Sequence, residues 1–82
     1  RIVVLPDFQQ QGIGTQALCA LEDYARRLHL HQLYAIVAQD NQPATHLFER
    51  RAFHSTARLN DWLQQDGGFT DALLYQKQLT NN

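Results

Sequence analysis

The pattern of hydrophobic and polar residues predicts two buried strands with a helix between them. Ile2–Leu5 and residues 33–38 are uninterrupted apolar or aromatic runs, which are typical of strands buried on both faces. Between them, apolar side chains recur at three- and four-residue spacing, which predicts a helix from Gly14 to about His29. Its predicted buried stripe consists of Leu18, Leu21, Ala25 and Leu28. The charged side chains expected mostly off this stripe are Glu22, Asp23, Arg26 and Arg27.

A second helix is predicted over residues 42–51. Asn41 is a suitable N-cap, and Pro43 suits the first helical turn because its missing N–H would have no partner there. The predicted apolar face of this helix consists of Ala44, Leu47, Phe48 and Ala52.

The last third of the chain predicts a hairpin. Residues 53–63 mix apolar and polar side chains, as in a strand that is irregular or exposed on one side. Asp66-Gly67 favours a tight turn, and residues 69–79 supply the return strand. The order β-α-β-α-β-β predicts an α/β domain with one sheet flanked by two helices. The first two strands and the intervening helix are expected to form a right-handed crossover with parallel strands.

Composition limits the size, the partners and the compartment. Eighty-two residues make one small domain, and 7 Lys and Arg against 8 Asp and Glu give no reason to expect a nucleic-acid or membrane partner. The single Cys19 cannot form an internal disulfide, so we expect a reducing compartment, the cytoplasm, and a packing role for this thiol. Because the chain opens with Arg1 and enters a strand at once, we also expect it to be the C-terminal part of a longer protein.

A glycine-rich stretch between the first strand and the first helix carries the candidate chemistry. Two glycines in three residues leave no side chain between the backbone N–H groups and a ligand. A helix that begins there adds unpaired N–H groups and the positive end of its dipole, which together suit a phosphate or pyrophosphate. The residues of this candidate cradle are Gln9, Gln10, Gln11, Gly12, Ile13, Gly14 and Thr15.

Two known phosphate-binding patterns fit this stretch poorly. Gly12-x-Gly14-x-x-Ala17 matches the dinucleotide fingerprint in form, but six residues separate the glycines from the strand. The acidic residue of that fingerprint would have to be Asp40, which lies too far along the chain. A Walker loop is excluded because the sequence has no Gly-Lys-Ser/Thr.

Two spaced motifs resemble the GNAT family of N-acetyltransferases. The first is the family's acetyl-CoA signature, here Val4-x-Pro6-x-Phe8-Gln9-x-x-Gly12-x-Gly14. The second resembles the family's Asn-x-x-Ala-x-x-Leu-Tyr-Glu-Lys-x-Gly-Phe helix, here Asn41-x-x-Ala44-x-x-Leu47-Phe48-Glu49-Arg50-Arg51-Ala52-Phe53. With the closing strand, the resemblance covers residues 1 to about 79. It implies the acyl-CoA N-acyltransferase fold and transfer of acetyl from acetyl-CoA to a primary amine.

The resemblance also implies roles for individual residues. The backbone of Ile2, Val3 and Val4 would pair with the pantetheine arm and bind the thioester carbonyl. Residues 10–15 would hold the pyrophosphate. Asn41 would contact coenzyme A beside the splayed strands, and Phe48 would lie at the cofactor. Because family domains have an N-terminal half that is absent here, we expect the first strand either to meet that half or to pair with a second copy.

Three departures from the family pattern leave the catalytic acid and base open. Phe48 replaces a Tyr proposed as general acid, Ile36 stands where some members have a Glu base, and Ala52 replaces the Gly before Phe53. Tyr34 and Tyr75 are the remaining candidate acids, although core packing is the simpler role for each. The departures keep an alternative open, a non-catalytic unit that binds coenzyme A or serves only in folding or dimerisation. A metal is not expected at His29 and His31, and His46 is interpreted as a surface residue.

Overall fold

The predicted order of elements is confirmed. The computed structural model describes residues 2–5, along their backbone, and residues 14–79. The elements are β1 (Ile2–Leu5), α1 (Thr15–Arg27), β2 (Gln32–Ala38), α2 (Gln42–Arg50), β3 (His54–Gln65) and β4 (Gly68–Gln78). Neither helix of this part of the chain is long and apolar enough to cross a membrane.

The four strands form one mixed sheet in the order β1-β2-β4-β3. As predicted, β1 and β2 are parallel, which requires the crossover through α1. β4 lies antiparallel between β2 and β3, so the hairpin folds back to place its second strand at the centre. β1 therefore forms one edge of the described sheet, and β3 forms the other.

The main core lies between one face of the sheet and the two helices. Leu33, Ala35 and Val37 alternate along β2 and are buried, because every second side chain of a strand points to the same face. Both helices contribute to the same cluster, whose other buried members are Leu18, Ala25, Leu30, Ala44, Leu47, Phe48, Phe53, Tyr75 and Leu79. A smaller cluster of Ala38, Leu63 and Ala72 includes neighbouring Ile36 and Leu59.

The predicted orientation of α1 is wrong in part. Leu18 and Ala25 are buried, but Leu21 and Leu28 are 36% and 44% exposed. Glu22, which was expected mostly off the buried stripe, is instead completely buried. Glu22 faces inward because it forms ion pairs there with basic side chains of β4 and α2, which are described below.

α1 ends two residues before the predicted end at His29. His29 has a φ of 60°, the left-handed conformation that terminates many helices. Its N–H donates to the carbonyl of Arg26, and the N–H of Leu30 donates to that of Ala25. This pair of bonds is a Schellman motif, so the helix stops at Arg27 without a glycine.

α2 ends in the same motif, with Ala52 at the left-handed position (φ 67°). The N–H of Ala52 donates to the carbonyl of Glu49, and that of Phe53 donates to Phe48. The rings of Phe48 and Phe53 meet edge to face at 4.9 Å, which supplies the hydrophobic contact typical of this motif. The glycine of the family pattern is therefore the residue that this conformation favours, and alanine adopts it under strain.

The hairpin turn agrees with its sequence. Asp66 and Gly67 have φ values of 45° and 80°, so both central residues are left-handed, as the primed hairpin turn requires. β3 is largely exposed, and its register against β4 shifts between Ser55 and Ala57 and between Leu59 and Leu63. The prediction was of a strand that is irregular or exposed on one side: the register shifts confirm the irregularity, whereas side chains on both faces of β3 are exposed.

Candidate functional site at the carboxyl ends of the parallel strands

The candidate site lies where the parallel strands β1 and β2 end. Their register pairs Ile2 with Gln32 and Leu5 with Ala35, so β1 stops three residues before β2 does. Residues 36–38 pair with β4 on one side, while no described strand pairs with them on the β1 side. Among the described residues, the backbone of residues 36–38 is therefore left without a strand partner on the β1 side, at the edge where open α/β sheets bind their ligands.

The N-terminus of α1 lies after this end of β1. Gly14 is the N-cap, in an extended conformation (φ −78°, ψ 159°), and its carbonyl accepts the first helical bond from Leu18 at 3.1 Å. Among the residues described, no side chain caps this helix. The first N–H groups of the helix thus have no side-chain acceptor among the described residues, and the positive end of the helix dipole lies behind them.

Gly14 also leaves open space. A Cβ added to Gly14 would meet no described atom within 4 Å, and the residue has a backbone conformation that any residue adopts. Neither packing nor backbone geometry among the described residues requires glycine there. An unfilled position at a helix N-terminus is compatible with a ligand that approaches the backbone closely. The other predicted cradle residues, Gln9, Gln10, Gln11, Gly12 and Ile13, lie outside the described residues.

The N-terminus of α2 follows β2 at the same edge. Asn41 Oδ1 accepts the N–H of Ala44 at 3.2 Å, which confirms the predicted N-cap. The Thr45 hydroxyl donates to the carbonyl of Gln42 at 3.1 Å and stabilises the same turn. α2 thus begins four residues after β2 ends, and α1 begins ten residues after β1 ends.

The predicted site residue Phe48 is completely buried further along α2. It lies seven residues, about two helix turns, after Asn41. Its ring stacks on that of Tyr75 with centroids 5.9 Å apart and touches Phe53 edge to face. A phenyl ring donates no proton, so Phe48 can contribute only shape and apolar surface.

Tyr75 does not replace the missing acid. Its side chain is buried in the core, as expected from its sequence position, and its hydroxyl donates to Glu49 Oε2 at 2.9 Å. Burial, together with this bond to a carboxylate, raises the pKa of Tyr75 to about 12. With so high a pKa, the Tyr75 phenol is a poor general acid for a departing thiolate. Tyr34 is half-buried on β2, in alternation with the core-facing residues and therefore on the opposite face of the sheet.

A cluster of charged side chains around the buried Glu22 holds α1 and was not predicted from the sequence. Glu22 accepts from Lys77 Nζ at 2.7 Å, from Arg51 Nη2 at 3.0 Å and from Arg51 Nε at 3.3 Å. Arg26 Nη2 lies 3.9 Å away, one turn along α1. We call these four residues the Glu22 cluster. The signal in the sequence was Lys77. It lies on the same face of β4 as Leu73 and Tyr75, which pack in the core, and its charge therefore needs a partner there.

The cluster keeps Glu22 ionised. Burial by itself would raise the pKa of Glu22, but hydrogen bonds from Lys77 and Arg51 and their positive charges lower it below its ordinary value of 4.5. The same contacts raise the pKa of Arg51. Lys77 Nζ also lies 5.7 Å from the centroid of the Phe53 ring, so a cation–π contact joins the cluster to the aromatic core.

The histidines and the cysteine do not form a further site. Among residues 14–79, no three His, Cys, Asp or Glu side chains come together in a way that could hold a metal ion. His29, His31 and His46 are exposed, and Cys19 is half-buried on α1.

Comparisons with known proteins agree with this geometry. The sequence is 32% identical over 78 residues to the L-amino acid N-acyltransferase MnaT of Escherichia coli K12, covering 95% of this chain and 45% of that protein. It is 28% identical over 74 residues to the spermidine N(1)-acetyltransferase of the same strain, covering 89% and 40%. The chain therefore spans less than half the length of these relatives.

A solved structure shows the same fold. A putative acetyltransferase from Salmonella typhimurium, with its cofactor acetyl-CoA, superposes with a TM-score of 0.79 at 28% identity, over 88% of this chain and 42% of the other. The four strands and two helices thus have the arrangement of the acyl-CoA N-acyltransferase fold. The sequence model of the acetyltransferase (GNAT) family matches residues 1–53, and the chain belongs to that family.

Proposed function

We propose that the chain carries the acetyl-CoA-binding part of an N-acetyltransferase that acetylates a primary amine. The observation that supports this most directly is that each of the parallel strands β1 and β2 is followed by a helix, whose N-terminus offers N–H groups and a positive dipole end. Among the described residues, the backbone of residues 36–38 also has no strand partner on the β1 side. Both are features that a pantetheine arm with an attached pyrophosphate needs.

The proposed binding residues follow from this arrangement and from the family motifs. The N–H groups that follow Gly12 and Gly14 would hold the pyrophosphate, and the open space at Gly14 is compatible with its approach. The backbone of Ile2, Val3 and Val4 would lie along the pantetheine arm. Asn41, whose side chain already caps α2, would contact coenzyme A, and Phe48 would shape the apolar wall behind it. Gln9, Gln10, Gln11, Ile13 and Thr15 complete the proposed set.

Catalysis at such a site requires positioning more than covalent chemistry. Acetyl-CoA supplies the activated thioester. Backbone N–H groups of the strands would stabilise the negative charge that develops on its carbonyl oxygen, and the amine would be held against the carbonyl carbon. Phe48 and Tyr75 do not act as acids in this proposal, since one lacks a proton and the other holds its proton in a bond to Glu49.

We propose a primary amine as the acceptor, because this is the acceptor class that the relatives have in common. The relatives named above are a spermidine N(1)-acetyltransferase and an L-amino acid N-acyltransferase. We propose that residues 1–82 form part of a single GNAT acetyltransferase domain in the cytoplasm, with acetyl-CoA and an amine as its ligands.

A second candidate function is binding of coenzyme A without turnover. The observation that favours it is the core position of Phe48, which replaces the proposed tyrosine acid. The two functions share the cofactor site and differ only in catalysis.

Acetyl-CoA titration followed by turnover with a panel of amines tests both functions. We expect binding in the micromolar range, and loss of about 100-fold in a Gly12→Glu/Gly14→Glu variant, because two carboxylates would oppose the pyrophosphate. The matched control is Gly68→Glu, where a Cβ makes only an ordinary contact of 3.9 Å in the exposed hairpin. Thiol release with an amine supports the transferase, and binding without release supports the second candidate. Equal binding by the glycine variant and the control would contradict the proposed site.

A further inference from the structure

Three buried side chains attach α1 to the rest of the described molecule. They are Leu18, Glu22 and Ala25. Apolar contacts are non-directional, so Leu18 and Ala25 tolerate rotation of the helix about its axis. Glu22 makes charge-assisted bonds, whose geometry is narrow. Among the three, Glu22 is the residue that can fix the rotation of the helix.

The observed rotation follows Glu22 and not the apolar stripe. Burying the stripe would place Leu21 and Leu28 inside, yet they are 36% and 44% exposed, and Tyr24 is 61% exposed. With 3.6 residues per turn, the change from the predicted to the observed buried face is a rotation of roughly 45°. The molecule exposes three large side chains and buries one carboxylate, which is the opposite of what hydrophobic burial favours.

The Glu22 cluster also fixes α1 against two other elements. Lys77 belongs to β4, at the centre of the sheet, and Arg51 is the C-cap of α2. One carboxylate thus connects three elements that are far apart in sequence. α2 is the helix whose other end carries Asn41, so the cluster relates both helix N-termini of the candidate site.

Stability alone accounts poorly for such a cluster. Removing charges from water is costly, and apolar side chains of similar size often replace a buried ion pair without loss of stability. What the ion pairs provide and apolar contacts do not is a defined orientation.

We propose that Glu22 is a positioning residue for the cofactor, because it sets the rotation of α1 about its axis and hence where the N–H groups of its first turn lie around that axis. This inference rests on the proposed function. Glu22 itself contacts no cofactor in this account: it lies two helix turns from Gly14 and acts through the helix.

The test compares four chains: wild type, Glu22→Gln, Glu22→Leu/Lys77→Met, and the control Asp23→Asn. Asp23 is the neighbouring carboxylate on α1, is exposed, and pairs with Arg26 on the surface. The double variant replaces buried charges by apolar groups, so it should stay folded even if Glu22→Gln does not. Each chain is titrated with acetyl-CoA and with S-acetylpantetheine, which lacks the pyrophosphate, and its urea unfolding midpoint is measured.

We expect Asp23→Asn to bind acetyl-CoA like wild type, and the double variant to bind it about tenfold more weakly with a near-native unfolding midpoint. Affinity for S-acetylpantetheine should change little, because the displaced N–H groups serve the pyrophosphate. If Glu22 served only the stability of the fold, the double variant would lose affinity for both ligands to the same extent, or for neither. A folded double variant with wild-type affinity for acetyl-CoA would overturn the proposal, whereas absence of binding by wild type would overturn the proposed function as well.

Discussion

Glu22 and Tyr75 are both buried ionisable residues, and the fold favours opposite protonation states for them. Glu22 is held as a carboxylate by Lys77 and Arg51, and its pKa is lowered. Tyr75 is held as a neutral phenol by burial and by its bond to Glu49, and its pKa is raised to about 12. The contribution of Glu22 to stability is therefore present above pH 4.5 and lost as the pH falls through its lowered pKa. That of Tyr75 is present below pH 10 and lost as the pH rises through about 12.

Replacement of Tyr75 by phenylalanine tests this assignment. The variant loses one hydrogen bond to a carboxylate, so its free energy of unfolding near neutral pH should fall by about 1–2 kcal/mol. Above pH 10 the difference from wild type should shrink, because the wild-type phenol ionises more readily in the unfolded chain. Urea unfolding at a series of alkaline pH values measures the difference. Tyr24→Phe, at a position 61% exposed, is the control and should show neither effect. A constant difference throughout the alkaline range would contradict the raised pKa.

The residue scale also shows where prediction from sequence ends. The core positions of Tyr75 and Phe48 follow from local pattern, and so does the N-cap role of Asn41. Burial of Glu22 does not, because its partners lie 29 and 55 residues away in the chain. The spacing of apolar residues within one helix does not depend on a lysine that lies on a strand far along the chain.

The two helices end in the same motif, although neither has the glycine that usually marks it in a sequence. Both stop in Schellman motifs, with His29 and Ala52 in the left-handed conformation where glycine is usual. The left-handed conformation costs a non-glycine residue about 1–2 kcal/mol. The helix ends predicted from periodicity were therefore one or two residues too long, since neither His nor Ala marks a stop.

Ala52→Gly should stabilise the protein. Glycine removes the strain at φ 67°, and the gain is partly offset because glycine makes the unfolded chain more flexible. We expect a net increase of about 0.5–1 kcal/mol in the free energy of unfolding, measured by urea denaturation. Ala20→Gly on the exposed face of α1 is the matched control, which should lose about 1 kcal/mol. Loss of stability in Ala52→Gly comparable to that of the control would show that the left-handed conformation is wrong.

The strands were easier to predict than the helix ends for a physical reason. β2 is a run of apolar residues buried against α1 and α2, and Asp66-Gly67 has the conformational freedom that its turn demands. Such signals are local, and tertiary contacts only reinforce them. The register shifts of β3 are different, because they depend on which residues of β4 lie opposite.

At the scale of the molecule, the parallel pair β1-β2 organises the candidate site. β1 ends three residues before β2, and a helix follows each of the two strands in the chain. The family motifs predicted both helix starts. The geometry adds that Asn41 can cap α2 at the edge where the cofactor is proposed to bind, so one side chain can serve structure and ligand together.

Amide chemical shifts in NMR spectra test directly whether acetyl-CoA binds at the carboxyl ends of β1 and β2. Titration of the isotope-labelled chain with acetyl-CoA should shift the amides of residues 10–15, 36–38 and 41–44. The amides of Gln32 and Gln78, at the opposite end of the sheet, should not move. Shifts confined to the hairpin or spread evenly over the sheet would contradict the account, and so would a spectrum that acetyl-CoA leaves unchanged.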